Sequence, residues 1–258
     1  MDDFLDVLGQ KAQKRVKEGY YKVTKQIIAP TKSLKKAVLG CKNIPIISEI
    51  KVASPTMGVI RKKIDVKKVA SEMKKGGAIG ISVLTEPEHF EGSLDTFIKV
   101  RSQVELPLLM KDIIVNRTQI EAAAKIGANA ILLIETLFKR GYCDCDVNRM
   151  IDEAHSQKIE VLLEVFTEEE FLSAIKTEAD LIGINNRDLR TLEVDLEVTR
   201  RILKKKCFHE KLIISESGIK SPADVRFLHE CGAHAFLVGS SIMRSSNIQE
   251  MVKELVLA

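Results

Sequence analysis

A helix-stop, strand-start device recurs along this chain, and its period limits the possible folds more than any other feature. Gly77-Ala78-Ile79-Gly80-Ile81, Gly127-Ala128-Asn129-Ala130-Ile131 and Gly232-Ala233-His234-Ala235-Phe236 are three copies, and Glu178-Ala179-Asp180-Leu181-Ile182 is a degenerate fourth. Their starts lie 50, 51 and 54 residues apart. Glycine suits the left-handed position that ends a helix, and alanine lets the chain turn tightly into a sheet. Each period has room for two β/α units.

The intervening pattern supplies those units. Strand-like runs fall at 46–51, 79–84, 107–111, 130–134, 160–165, 180–184, 211–215 and 234–238, and helical spacing at 66–76, 94–102, 117–127, 147–157, 168–176, 196–206, 221–231 and 247–257. Runs such as AILLI, VLLEV and KLIIS are continuously apolar, as parallel strands covered on both faces must be. A fixed period without a Pro/Gly/Ser linker favours an α/β fold closed as a (β/α)8 TIM barrel over an open sheet with two unlike edges. The barrel is expected over 45–258, with an N-terminal helical extension over 1–44, the whole forming one domain. Within the extension, Phe4, Leu5, Leu8, Ala12 and Val16 give a helix over 2–18. Thr31 or Ser33 caps a second, short helix running through Cys41, with Gly40 near its end.

Composition excludes some partners. The net charge is +4, with basic residues spread along the chain. That suits an anionic small molecule, not a nucleic-acid groove, which needs a concentrated basic stripe. No stretch approaches the roughly 18 apolar residues of a spanning helix, so no membrane partner is expected. MDDFLDVLGQKAQKR lacks the apolar core of a secretory signal, and five cysteines without framework spacing point to a reducing cytoplasm. Cys143-Asp144-Cys145 has no further ligands nearby in sequence, so no metal is expected.

Chemistry in such a barrel lies at the C-terminal ends of the strands. In PIISEIKVASP, Ile47, Glu49 and Lys51 share one face, placing two opposite charges on a surface that is otherwise buried. They form either a structural ion pair or part of a ligand site. Further along, the strands end in Ser82, Lys111, Glu164, Asn185 with Arg187, Glu216 with Ser217, and Gly239 with Ser240. Lys111, among aliphatic neighbours, is a general acid if carboxylates keep it protonated, a Schiff-base nucleophile if desolvated, or simply a partner of Asp112. Glu164 follows Val161, Leu162 and Leu163, a setting that raises a carboxyl's affinity for its proton. Asn185 offers a neutral donor and acceptor, and Arg187 is either a ligand group or a partner of Asp188 or Glu216. ISESGI and FLVGSSIM, ending the last two units, contribute Ser217, Gly218, Gly239 and Ser240 to a phosphate cradle of the type barrels build there. After the first strand, Ser54, Pro55 and Gly58 read as a loop able to approach an anion.

Seven segments, SEIKVASP, ISVLTEPEHFEGS, LPLLMKDIIVNRTQI, LLEVF, GINNRDL, SESGI and LVGSSIM, resemble in order and spacing the motifs of the indole-3-glycerol phosphate synthases. The likeness runs from about Ile44 to Arg244. It implies a carboxy-lyase of tryptophan synthesis acting on 1-(2-carboxyphenylamino)-1-deoxyribulose 5-phosphate, closing a ring with loss of carbon dioxide and water. On that resemblance Lys111 is the general acid on the substrate ketone and Glu164 the partner acid/base of the dehydration. Lys51 holds the departing carboxylate or shares the acid role. Glu49 and Asn185 orient the lysines and sugar hydroxyls, while Arg187, Glu216, Ser82 and Phe90 line the substrate site. Ser54, Ser217, Gly218, Gly239 and Ser240 hold the phosphate, and the extension covers part of the barrel mouth. No cofactor is implied, and a monomer is expected, with contacts to pathway enzymes left open. The chain departs from the family at Val52, Thr56, Met110 and Ile113; the family usually has arginine at the third of these and, at the fourth, a phenylalanine that packs on the substrate ring.

Overall fold

Strands form where the sequence is apolar on both faces, and they close on themselves. The structure, a computed structural model, describes residues 3–24, 26–28, 30–54, 58–61, 64–204 and 211–258. Expectations touching residue 2, Pro55, Thr56 or 205–210 lie outside this set. The barrel strands are Ile46–Ile50 (β1), Gly80–Leu84 (β2), Leu108–Lys111 (β3), Ala130–Ile134 (β4), Glu160–Val165 (β5), Leu181–Asn185 (β6), Leu212–Glu216 (β7) and Ala235–Val238 (β8). Each pairs in parallel with the next, and β8 returns to β1, closing an eight-stranded TIM barrel. Lys51 falls just past β1, while Asn185 and Glu216 are the last residues of their strands. The expected helices are present, shortened by a residue or more at one or both ends.

The repeat works as its residues suggest. Gly77, Gly127 and Gly232 sit at φ of +99°, +83° and +104°, each one residue past a helix cap. The degenerate copy has no such glycine. There Thr177 Oγ1 donates to the Ala174 carbonyl and accepts from the Ala179 N–H, so a side chain closes the turn.

Alternation along the strands divides the core in two. Ile46, Ile81, Met110, Ile131 and Phe236 pack outward against the helices, while Ile47, Leu109, Leu132, Leu162 and Leu237 fill the barrel interior. Sequence reading missed two small elements, the helix Glu135–Lys139 directly after β4 and a two-stranded hairpin of Ala53–Ser54 with Gly58–Val59. Both continue motifs at strand ends, where apolar periodicity stops. Among the described residues, no helix is long and apolar enough to cross a membrane.

The extension sends its two helices to opposite ends of the barrel. Helix α1, Phe4–Lys17, lies over the mouth, with Leu5, Leu8 and Ala12 buried. Arg140 clamps it through Asp3 and Asp6 at 2.7 Å each, and Tyr142 Oη donates to Asp6. Helix α2, Leu34–Leu39, closes the opposite end. Leu34 is fully buried there beside Gly80, the first residue of β2. Glu160, the first residue of β5, accepts from the backbone N–H groups of Leu34 and Lys35 and from Ser33 Oγ. Those amides are unpaired within the helix, so the carboxylate caps it and its charge complements the dipole. Only the first helix therefore covers the mouth.

Candidate active site

A cavity of about 920 Å3 opens at the C-terminal ends of the strands, within the usual range for small-molecule sites. Glu49, Lys51, Ser54, Phe90, Lys111, Glu164, Asn185, Arg187, Ser217, Gly218, Gly239 and Ser240 all border it. The barrel thus gathers twelve of the fourteen residues proposed from sequence.

Two do not line it. Ser82 is fully buried in the barrel interior beside Glu49 and Leu109 and does not border the cavity, so it is not a substrate contact. Glu216 is likewise fully buried and meets the site through Lys111, not through the cavity. A strand residue buried off the cavity reads the same in sequence as one that borders it.

The charged residues form one linked group. Lys111 Nζ donates to Glu216 and lies 3.6 Å from Glu49 and 3.9 Å from Glu164. Glu49 also pairs with Lys51 at 2.8 Å. Burial alone would pull the Lys111 ammonium towards neutrality. Glu216, Glu49 and Glu164 outweigh that and hold it above the ordinary lysine range. Burial likewise favours the neutral form of Glu49, but Lys51 and Lys111 overcome it and keep its carboxyl below the usual range. Asp112, the alternative partner, turns away: it accepts from Tyr21 Oη at 3.1 Å and Thr85 Oγ1 at 2.6 Å. Lys111 is therefore a protonated lysine in a carboxylate nest, which suits a general acid and not a Schiff-base nucleophile.

Glu164 behaves differently although it is only one strand away from β6. Burial and then the neighbouring Glu216 push its carboxyl up to about 8, against the opposing pull of Lys111. Asn185 Nδ2 donates to Glu164 Oε1 at 2.9 Å, and the Arg187 N–H donates to Asn185 Oδ1, fixing which way the amide faces. Arg187 Nη1 reaches the Leu192 carbonyl at 2.7 Å, whereas Asp188 is held by Arg190.

Two glycines make room for this group. A Cβ on Gly183, in the middle of β6, would fall on Glu216 Oε1. A Cβ on Gly239 would lie 2.5 Å from Glu49 Oε1 and 3.0 Å from its Cβ. Gly183 escaped sequence reading, although a glycine inside the strand LIGIN signals a close approach. Ser217 and Gly218 have φ of +71° and +85°, giving a turn of two successive left-handed residues at the cavity edge. Lys220 and Arg244 border the same region.

Apolar residues make much of the remaining wall. Phe4 and Leu8 of α1 join Phe90, Ile113, Leu132, Ile134, Leu189 and Leu192. Of the departures noted in sequence, Ile113 borders the cavity, but Met110 is fully buried on the outer face of β3 and does not touch it. Cys143 and Cys145 are free thiols outside the cavity, and burial pushes Cys143 up to about 12.

Comparisons agree with this construction. The fold resembles a thiamine phosphate pyrophosphorylase from Pyrococcus furiosus (TM-score 0.60, 18% identity, covering 84% of this chain and 95% of the other). It also resembles an N-acetylmannosamine-6-phosphate 2-epimerase from Clostridium perfringens (TM-score 0.61, 16% identity, covering 85% and 94%). At those identities the likeness concerns the barrel alone. In sequence, the chain is 42% identical over 228 residues to an indole-3-glycerol phosphate synthase of Methanocaldococcus jannaschii, covering 87% of this chain and 83% of that protein. It is 38% identical over 249 residues to one of Methanopyrus kandleri, covering 94% and 95%. A family model described as indole-3-glycerol phosphate synthase matches residues 6–255, and with these relatives it establishes that the chain belongs to the indole-3-glycerol phosphate synthase family.

Proposed function

We propose that the chain converts 1-(2-carboxyphenylamino)-1-deoxyribulose 5-phosphate into indole-3-glycerol phosphate, with release of carbon dioxide and water. The observation that carries this reading is Lys111 Nζ, held among carboxylates in the same cavity as Glu164 and a glycine–serine turn. Membership in the family supports the substrate.

The geometry divides the work. The phosphate sits against Ser54, Ser217, Gly218, Gly239 and Ser240, and the aryl ring against Phe90, Ile113 and the apolar wall. Lys111 gives its proton to the ketone oxygen as the aromatic carbon attacks the ketone carbon, so a carbon–carbon bond forms and a hydroxyl appears. Loss of carbon dioxide returns its bonding electrons to the ring. Glu164 then protonates that hydroxyl, which leaves as water, and the carboxylate so formed takes the proton lost from the carbon beside the ring nitrogen, completing the indole. Lys51 holds the departing carboxylate or shares the acid role, and Glu49 and Glu216 keep the ammonium groups charged and aimed. Asn185 and Arg187 orient the sugar hydroxyls. The extension and barrel act as one domain, a reading supported by the clamps on α1 and α2. A fluorescence assay for the indole product with purified protein tests the activity directly; no product at saturating substrate would refute it.

Gly239→Asp is expected to weaken substrate binding by about 10–100-fold, because a new carboxylate would crowd Glu49 and repel the phosphate together. Titration with a non-reactive phosphate analogue checks this. Unchanged affinity would remove Gly239 from the anion site.

A further inference from the structure

The loop after β2 is folded back on itself to an unusual degree, and Phe90 sits at its tip. Glu86 is fully buried there. Its two carboxylate oxygens accept three backbone N–H bonds, from Glu88 at 3.2 Å, His89 at 2.7 Å and Phe90 at 3.1 Å. Gly92 N–H donates to the Glu86 carbonyl at 2.8 Å, and a Cβ on Gly92 would lie 2.6 Å from the Leu84 carbonyl carbon. Glu91 adopts φ +50°, turning the chain sharply just past the phenylalanine. Both side chain and backbone of Glu86 therefore hold the turn that carries Phe90 to the cavity wall.

The charge is balanced from a distant part of the chain. Arg15 of α1, itself 4% exposed, places Nη1 2.8 Å from Glu86 Oε1 and 3.0 Å from Glu88 Oε1. His89, whose N–H the carboxylate binds, meets Phe4 of α1 edge to face at 5.3 Å between ring centres. The Glu86 carboxylate thus meets hydrogen-bond donors on both oxygens. A glutamine in its place must turn an N–H2 group towards Arg15 or towards the amides of His89 and Phe90, setting donor against donor.

We infer that Glu86, held by Arg15, is a positioning residue for aryl-ring recognition: it fixes the loop that presents Phe90. The inference rests on the reading of Phe90 as part of the ring wall. Its action is on binding, because the Glu86 carboxylate is engaged by the loop amides and Arg15, whereas Lys111 is engaged by Glu49, Glu164 and Glu216. An aromatic contact of this kind contributes up to about tenfold in affinity, which sets the size of the effect.

A double-mutant cycle on the full chain tests this, using Glu86→Gln, Phe90→Ala and the double variant, with KM and kcat read separately. Glu86→Gln should raise KM about tenfold while kcat changes less than about threefold. On the Phe90→Ala background the same substitution should raise KM less than about twofold, since the side chain it positions is gone. A purely structural role would lower the unfolding midpoint and act equally on both backgrounds. That additive result, or an unchanged KM in folded Glu86→Gln, overturns the proposal. If Glu86→Gln does not fold, Gly92→Ala disturbs the same turn from its backbone and carries the same cycle. A silent Phe90→Ala would instead overturn the ring-wall reading itself, so the two failures are distinguishable.

Discussion

Lys111→Ala should lower kcat by about 10^3-fold or more while leaving affinity for a phosphate analogue within about threefold of the parent. A positioned general acid typically contributes on the order of 10^2–10^4-fold, and here the same ammonium also stabilises the oxyanion formed as the ring closes. The phosphate cradle, from β7, β8 and the loop after β1, takes nothing from β3, so binding should survive. A second signature follows from the carboxylates around the ammonium. Without it, Glu49 and Glu164 lose a compensating charge that favours their ionised forms, so folding favours their protonated forms more than in the parent. A carboxyl whose folded-state affinity for the proton exceeds its unfolded one loses stability as pH rises past its unfolded value, about 4.3 for glutamate. The variant's deficit in unfolding midpoint should therefore be small near pH 5 and larger near pH 8. Parent-like turnover would end the assignment of Lys111 as the acid. A pH-independent deficit would show that the carboxylates do not depend on it.

Glu164→Gln is the second large effect, with an expected fall in kcat of about 10^2–10^3-fold. The substitution keeps size and neutrality but cannot give up a proton. With Glu164 pushed up to about 8, the parent carries the proton at neutral pH. Its kcat/KM should then fall as pH rises through that region, since the ionised form no longer protonates the departing hydroxyl. In the glutamine variant this alkaline limb should be absent. The limb belongs to the linked cluster, not to one isolated carboxyl, because the charges of Glu216 and Lys111 set where Glu164 gives up its proton. A pH–rate series on both proteins decides the matter, and a limb that persists in the variant would sink the assignment.

The barrel was legible because its signal is repeated. Gly77, Gly127 and Gly232 end their helices in the left-handed conformation, and continuous apolar runs mark strands packed on both sides. Lys51, Lys111 and Glu164 were legible for a simpler reason: charge at the end of an apolar strand is costly unless used. Which strand residues face the cavity was not legible. Ser82 is level with Glu49 and Glu216 with Asn185, yet both stay buried off the cavity wall, and Glu216 turns to Lys111 instead. Met110 and Ile113 looked like equal departures, yet strand alternation sends one outward and leaves the other beside the cavity. Gly183 was missed because its meaning lies in a residue of the adjacent strand, a relation that no local pattern carries.

The opposite destinations of α1 and α2 bear on how the polypeptide is made. These helices leave the ribosome before the barrel does, but Arg140, Tyr142 and Glu160, which secure them, lie more than 100 residues further along. At roughly 5–20 residues per second, the leading segment waits on the order of ten seconds with Leu8 and Leu34 lacking their final partners. Stalled nascent chains ending before Arg140 should lose this segment readily to a protease, and chains extending well past Glu160 should protect it. Equal protection in both would show that the segment docks early. The order of synthesis thus makes the beginning of the molecule among the last parts to find its place.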